Sequence, residues 1–212
     1  PHPPPFPLQP GERWGAYVVE LNFTYQGTKT RIENPSMQTQ VGTKTDTKVP
    51  TLVTNLKAPN SALGSSPDIV TSALMYRNTP TGLETTPTPI GTQTQTFTAI
   101  TSTDIDEDGL PDLVVAFKEN PTTPLRRSGV KVYTNPGSGV FTQVVPYSVG
   151  STDQETEAVT TADINGDGRP DIVAGNRNQR NKVYLNLGTG VFSSAIEIGT
   201  DADETTSVTT GG

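Results

Sequence analysis

Cysteine is absent from the 212 residues, and histidine occurs once, as His2. The first absence excludes disulfides and thiolate chemistry; the second removes Ser-His and Cys-His nucleophilic machinery and His-ligated zinc. No apolar run approaches the ~18 residues of a membrane-spanning helix. Hydrophobic residues make up 31 % and aromatics 6 % of the chain, a lean supply that suits a β-rich fold whose 20 Gly and 19 Pro serve many turns. Basic clusters are missing as well, so nucleic acid is not an expected partner. The chain is expected not to be an enzyme, since the one catalytic device left is a carboxylate pair and the clustered acids have another use.

Those acids are the richest feature of the sequence. A nine-residue loop occurs twice, as DIDEDGLPD from Asp104 to Asp112 and DINGDGRPD from Asp163 to Asp171. Of 22 acids, eight lie in these loops; without them 14 acids face 15 bases, so the net charge of −7 is local in origin. Side-chain oxygens at positions one, three, five and nine, with a glycine at six, suit Ca²⁺, which takes about six to eight hard oxygen ligands and tolerates irregular geometry. The spacing predicts two calcium sites. Asp104, Asp106, Asp108, the Leu110 carbonyl and Asp112 would hold one ion; Asp163, Asn165, Asp167, the Arg169 carbonyl and Asp171 would hold the other. An EF-hand would place Glu at position twelve between helices, but Val115 and Ala174 stand there, inside short β-branched runs that read as buried strands. The plainer alternative is that Asp and Gly make solvated turns.

The match extends beyond the loops. VKVYTNPGSGVF follows the first and NKVYLNLGTGVF the second, pairing Tyr133 with Tyr184, Asn135 with Asn186, Gly139 with Gly190 and Phe141 with Phe192. Each unit reads strand, acidic loop, strand, strand, Gly turn, strand, which is one four-stranded antiparallel sheet. A weaker copy comes first, with Asn60 and Asp68 at loop positions one and nine, Ala62 and Gly64 in place of the middle ligands, and Tyr76, Asn78 and Gly82 on the same template. That loop is expected to hold no calcium. SVTTGG at 207–212 matches AVTTAD, so Gly212 falls where a fourth loop would begin. The longest unit carries a polar insert, ENPTTPLRRSG, whose Arg126 and Arg127 read as a solvated tip or a contact for an acidic partner.

Residues 1–10, PHPPPFPLQP, predict a polyproline II spacer, and residues 16–25, AYVVELNFTY, alternate cleanly as a strand. Exposed hairpins or loops are expected from Gln26 to Lys48. Asn22-Phe23-Thr24 is an N-glycosylation candidate at Asn22, and the Thr- and Pro-rich runs suit O-linked sugars, with unmodified turns as the alternative.

Over residues 52–212 the chain resembles the FG-GAP and VCBS repeats of β-propellers found in integrin α subunits and lectins. The resemblance implies an all-β fold of propeller-like four-stranded antiparallel blades, about three plus a partial fourth, behind an N-terminal extended and β segment. The expected division is 1–50 and 51–212, with repeats at 51–92, 93–150, 151–199 and a partial one at 200–212. The resemblance also implies the same Asp and Asn side chains as calcium ligands, the second site being weaker because Asn165 replaces a carboxylate.

Closed propellers need about four to eight blades. Exposed sheet edges pair with other chains, so the N-terminal 50 residues, a cyclic oligomer or a neighbouring molecule is expected to complete the structure. The expected function is an extracellular or cell-surface, calcium-stabilised structural or adhesive subunit. It would be a homo-oligomer or a filament built by strand or blade complementation. The alternative is a lectin-like or receptor-type module that binds glycan or protein, with Trp14 as the aromatic outside the repeat pattern.

Overall fold

The computed structural model describes residues 50–54, 56, 67–91, 95–119, 127–200, 202 and 204–210. The predicted proline spacer, the strand at 16–25, Trp14, Asn22, Arg126 and Gly212 lie outside them, as does most of the first loop.

Among the described residues the fold is all-β, and three four-stranded antiparallel sheets follow one another along the chain. The first blade pairs β1 (Thr51–Thr54), β2 (Asp68–Thr71), β3 (Leu74–Tyr76) and β6 (Thr88–Pro89) in that order. A hairpin of β4 (Asn78–Thr79) and β5 (Gly82–Leu83) stands apart as a two-stranded sheet. The second blade is β7 (Gln95–Thr103), β8 (Asp112–Glu119), β9 (Ser128–Tyr133) and β10 (Tyr147–Val149). The third is β11 (Thr156–Ala162), β12 (Asp171–Asn176), β13 (Asn181–Tyr184) and β14 (Ile196–Ile198). These are the propeller-like blades expected from the repeat pattern, with the acidic loops joining first strand to second. The first strands stand side by side, β7 touching β1 and β11.

The burial of β8 explains its sequence. Strand side chains alternate between faces, and a strand covered on both sides has no polar face to offer. Leu113, Val115 and Phe117 join Leu52, Val70, Met75 and Ile90 of the first blade in one core. Val114 and Ala116 turn the other way, to meet Val159, Ile172, Ala174 and Tyr184 of the third blade. The run LVVAF is therefore apolar throughout because it fills two interfaces between blades. At the outer edge of the third blade, β14 is exposed at all three positions.

A β-bulge recurs in the first strands, between Phe97 and Ala99 and between Thr156 and Ala158. A bulge bends the strand and redirects the side chain it leaves unpaired. Here both such residues link the second and third blades: Thr98 Oγ1 donates to the Thr156 carbonyl at 2.9 Å, and Glu157 pairs with Lys118.

Phe117 is fully buried with Lys131 Nζ 4.0 Å from its ring centroid, whereas Val145 is 87 % exposed. Phe117→Ala is expected to lower unfolding free energy by about 3–5 kcal/mol. Val145→Ala should change it by less than about 0.5 kcal/mol in the same urea titration.

Candidate metal centre

The first acidic loop winds around its own carboxylates. Asp104 accepts the amides of Asp108 (3.1 Å) and Gly109 (2.8 Å), and Asp108 accepts that of Leu110 at 2.8 Å. Glu107 and Gly109 take positive φ values of 65° and 87°, which close the turn. The result gathers oxygens of Asp104, Asp106 and Asp108 within 4.8 Å of one another. Asp106 Oδ1 is buried with no hydrogen-bond partner among the described residues. Burial, with Asp108 and Asp104 nearby, pushes its pKa up. Three carboxylates this close repel one another unless a cation or protons intervene, and an orphaned buried acceptor is costly. The donor set is all oxygen, so the residues fit a hard divalent ion.

Asp112 lies beneath that group and outside it. Its Oδ2 accepts the Ile105 amide at 2.8 Å and its Oδ1 the Asn135 amide at 2.7 Å. Burial raises its pKa to about 6 in spite of these bonds, with Asp106 and Asp108 adding to the rise. Tyr147 comes from β10 to the same region. Its buried hydroxyl has no partner among the described residues, and burial, then Asp112 and Asp106, push its pKa up to about 12. Nothing in the sequence marks Tyr147, which reaches the loop only through the fold.

The second loop repeats the backbone and differs in charge. Asp163 accepts the amides of Gly166, Asp167 and Gly168 at 2.7, 3.0 and 2.8 Å, and Asp171 accepts those of Ile164 and Asn186, each at 2.8 Å. Asp167 Oδ2, however, takes both Asn165 Nδ2 (2.8 Å) and Arg169 Nη2 (2.5 Å), while Arg169 Nε donates to the Asn186 carbonyl at 2.9 Å. The Arg169 backbone amide and the Asn165 side chain hold the Asp167 pKa below the usual carboxylate value. Where the first loop gathers three acids, the second brings the Arg169 guanidinium onto Asp167.

The first blade carries the same ninth-position carboxylate. Asp68 accepts the amides of Asn78 (2.8 Å) and Leu56 (3.4 Å). Leu56 thus fills the place of Ile105 and Ile164, but stands 12 residues before its aspartate instead of seven. Asn60, Ala62 and Gly64, read as positions of this loop, lie outside the described residues.

A model of the FG-GAP-like repeat matches residues 104–174 and 163–211. Together these span half of the chain. The chain belongs to the FG-GAP-like repeat family. Both matches contain the loop at 163–171: the first runs from one acidic loop through the next, and the second opens on that loop. No curated protein and no solved structure matches the chain. Among the described residues no helix is long and apolar enough to cross a membrane.

The ninth aspartate and the triad are expected to respond differently to substitution. Asp112→Ala leaves two buried amides without an acceptor, and each is expected to cost about 1–3 kcal/mol. Asp108→Asn keeps an acceptor for Leu110 and removes one like charge, so in chelator it should leave stability unchanged or slightly higher. Urea unfolding of both variants in EDTA provides the comparison.

Proposed function

We propose that this FG-GAP-like chain is an extracellular or cell-surface structural or adhesive subunit, stabilised by Ca²⁺, that assembles with copies of itself into a fibre. The observation that carries the calcium reading is the buried, unpartnered Asp106 oxygen among three converging carboxylates. Asp104, Asp106 and Asp108 would hold the ion, with the Leu110 carbonyl and Asp112 completing the set. Bound Ca²⁺ would supply neutralising charge and a cross-link between the start and end of the loop. In a chain without cysteine, that is a clamp of the kind a disulfide provides elsewhere.

The second loop, through Asp163, Asn165, Asp167, the Arg169 carbonyl and Asp171, is the weaker candidate. It has one carboxylate fewer among the middle positions, and its Asp167 is engaged by Arg169. The role proposed is mechanical, not catalytic. Among the recurrent aromatics, Tyr133, Tyr184 and Phe141 are fully buried in the cores and Phe192 is partly buried against one, so they lend a glycan-reading role little support. The extracellular setting follows from calcium supply, since loops of this composition fill at the millimolar levels found outside cells.

Calcium that binds only the folded chain stabilises it by mass action, about 2.7 kcal/mol at a hundredfold excess over Kd. The melting temperature should rise with added CaCl₂ and fall with EDTA, and Asp106→Ala should abolish most of the rise. A melting curve indifferent to both additions, with no heat in a calcium titration, would overturn the calcium reading.

A further inference from the structure

The two interfaces between blades are built from the same parts. Asn135 Nδ2 donates to the Leu56 carbonyl of the preceding blade at 2.8 Å, and Asn186 Nδ2 donates to the Ile105 carbonyl at 2.9 Å. In each case the backbone amide of that Asn is held by the ninth-position aspartate, Asp112 or Asp171. A tyrosine two residues earlier completes the joint. Tyr133 lies over Gly91 and Tyr184 over Gly150, so close that a Cβ there would come within 2.9 and 2.4 Å of the ring. The second and third blades therefore each plug an Asn and a Tyr into a seat on the one before, formed by a loop carbonyl and a bare glycine.

Among the described residues, nothing fills that seat on the third blade. Gly199 follows β14 as Gly91 follows β6 and Gly150 follows β10, with a φ of +78° and no described atom within 4 Å of a Cβ built on it. Ile164 corresponds to Ile105, yet it is 47 % exposed where Ile105 is fully buried, and no described residue donates to its carbonyl. Exposed Ile196 and Ile198 border the same edge. Residues 204–210 leave Gly199 and the Ile164 carbonyl uncovered, but they share this outward face: Thr205 and Val208 lie against Gly175, which takes the place of Ala116 in the second blade, where Val159 of the following blade packs.

The first blade carries the matching plug. Tyr76 and Asn78 occupy the places of Tyr133 and Asn135, and the Asn78 amide is held by Asp68 as the others are by Asp112 and Asp171. Both are half-buried, and no described residue accepts from the Asn78 side chain.

We infer that the first blade of one copy docks on the third blade of the next, Asn78 donating to the Ile164 carbonyl and Tyr76 resting over Gly199. One end of the molecule is complementary to the other, so the contact is heterologous and propagates head to tail, as a ring if its rotation closes and as a filament if it does not. The inference rests on the proposed self-assembly and names its surface.

The absence of cysteine makes the test direct. Chains carrying Asn78→Cys and chains carrying Ile164→Cys, mixed and oxidised, should give a disulfide-linked heterodimer that neither forms in comparable yield alone, and the double variant should give a ladder of multimers. Separately, Asn78→Ala and Ile164→Glu, each checked by its melting curve, should raise the dissociation constant of the assembly at least tenfold in sedimentation velocity. An assembling wild type whose variants assemble equally well, with no mixed disulfide, overturns this interface and leaves self-assembly standing. A double variant that cross-links only within one chain also overturns it, since the seat is then filled in cis. A wild type that stays monomeric at all concentrations and calcium levels removes the self-assembly reading together with the interface.

Discussion

A buried carboxylate at the ninth position of each loop takes two backbone amides, one from the start of its own loop and one from the asparagine after the third strand. Both amides lie where the chain leaves regular pairing, so without the carboxylate they would be donors with no acceptor, both of them buried in the second blade. The bonds fix the height at which the loop leaves the sheet and orient the asparagine whose side chain reaches the preceding blade. In the second and third blades the turn, the loop and the joint between blades thus hang on one side chain. Burial raises the pKa of Asp112 to about 6, which marks the desolvation cost of placing a carboxylate there.

The sheets are held to one another by their faces more than by their edges. β8 divides its side chains between two cores, and the same alternation in β12 places Ile172 and Ala174 against the second blade. The opposite face of β12 receives Thr205 and Val208 at Gly175. A blade of this kind buries its apolar faces against its neighbours, as is usual when a repeat cannot bury its apolar surface alone. The contrast between buried Ile105 and exposed Ile164 is the local sign of that dependence.

Two loops written in nearly the same residues reach different electrostatic states. Leu110 stands at the seventh position of the first loop, and its apolar side chain leaves the three carboxylates facing one another. At the same position Arg169 folds back on Asp167 and ties it to the Asn186 carbonyl. Asn165, in the place of Asp106, donates to Asp167 as well as accepting from it. Carboxylates converge in one loop, whereas in the other one of them is paired with a guanidinium of the same loop.

The sequence by itself determined the all-β class, the order of strands around each loop and the pairing of Tyr133 with Tyr184 and of Asn135 with Asn186. These follow from short-range rules: β-branched runs bounded by turns, a glycine where φ is positive, and one unit repeated. It also named the carboxylates Asp104, Asp106 and Asp108 as a group, because alternate residues of a tight loop converge by local geometry alone. The structure decided what spacing could not express. The ninth aspartate is a backbone anchor whose partners lie up to 23 residues away, Leu56 reaches Asp68 from 12 residues upstream, and Tyr147 arrives from the fourth strand to lie beside the acidic site. Each of these depends on contacts between segments distant in the chain. Their free energy comes from burial and the satisfaction of buried polar groups, and only packing determines which groups become buried.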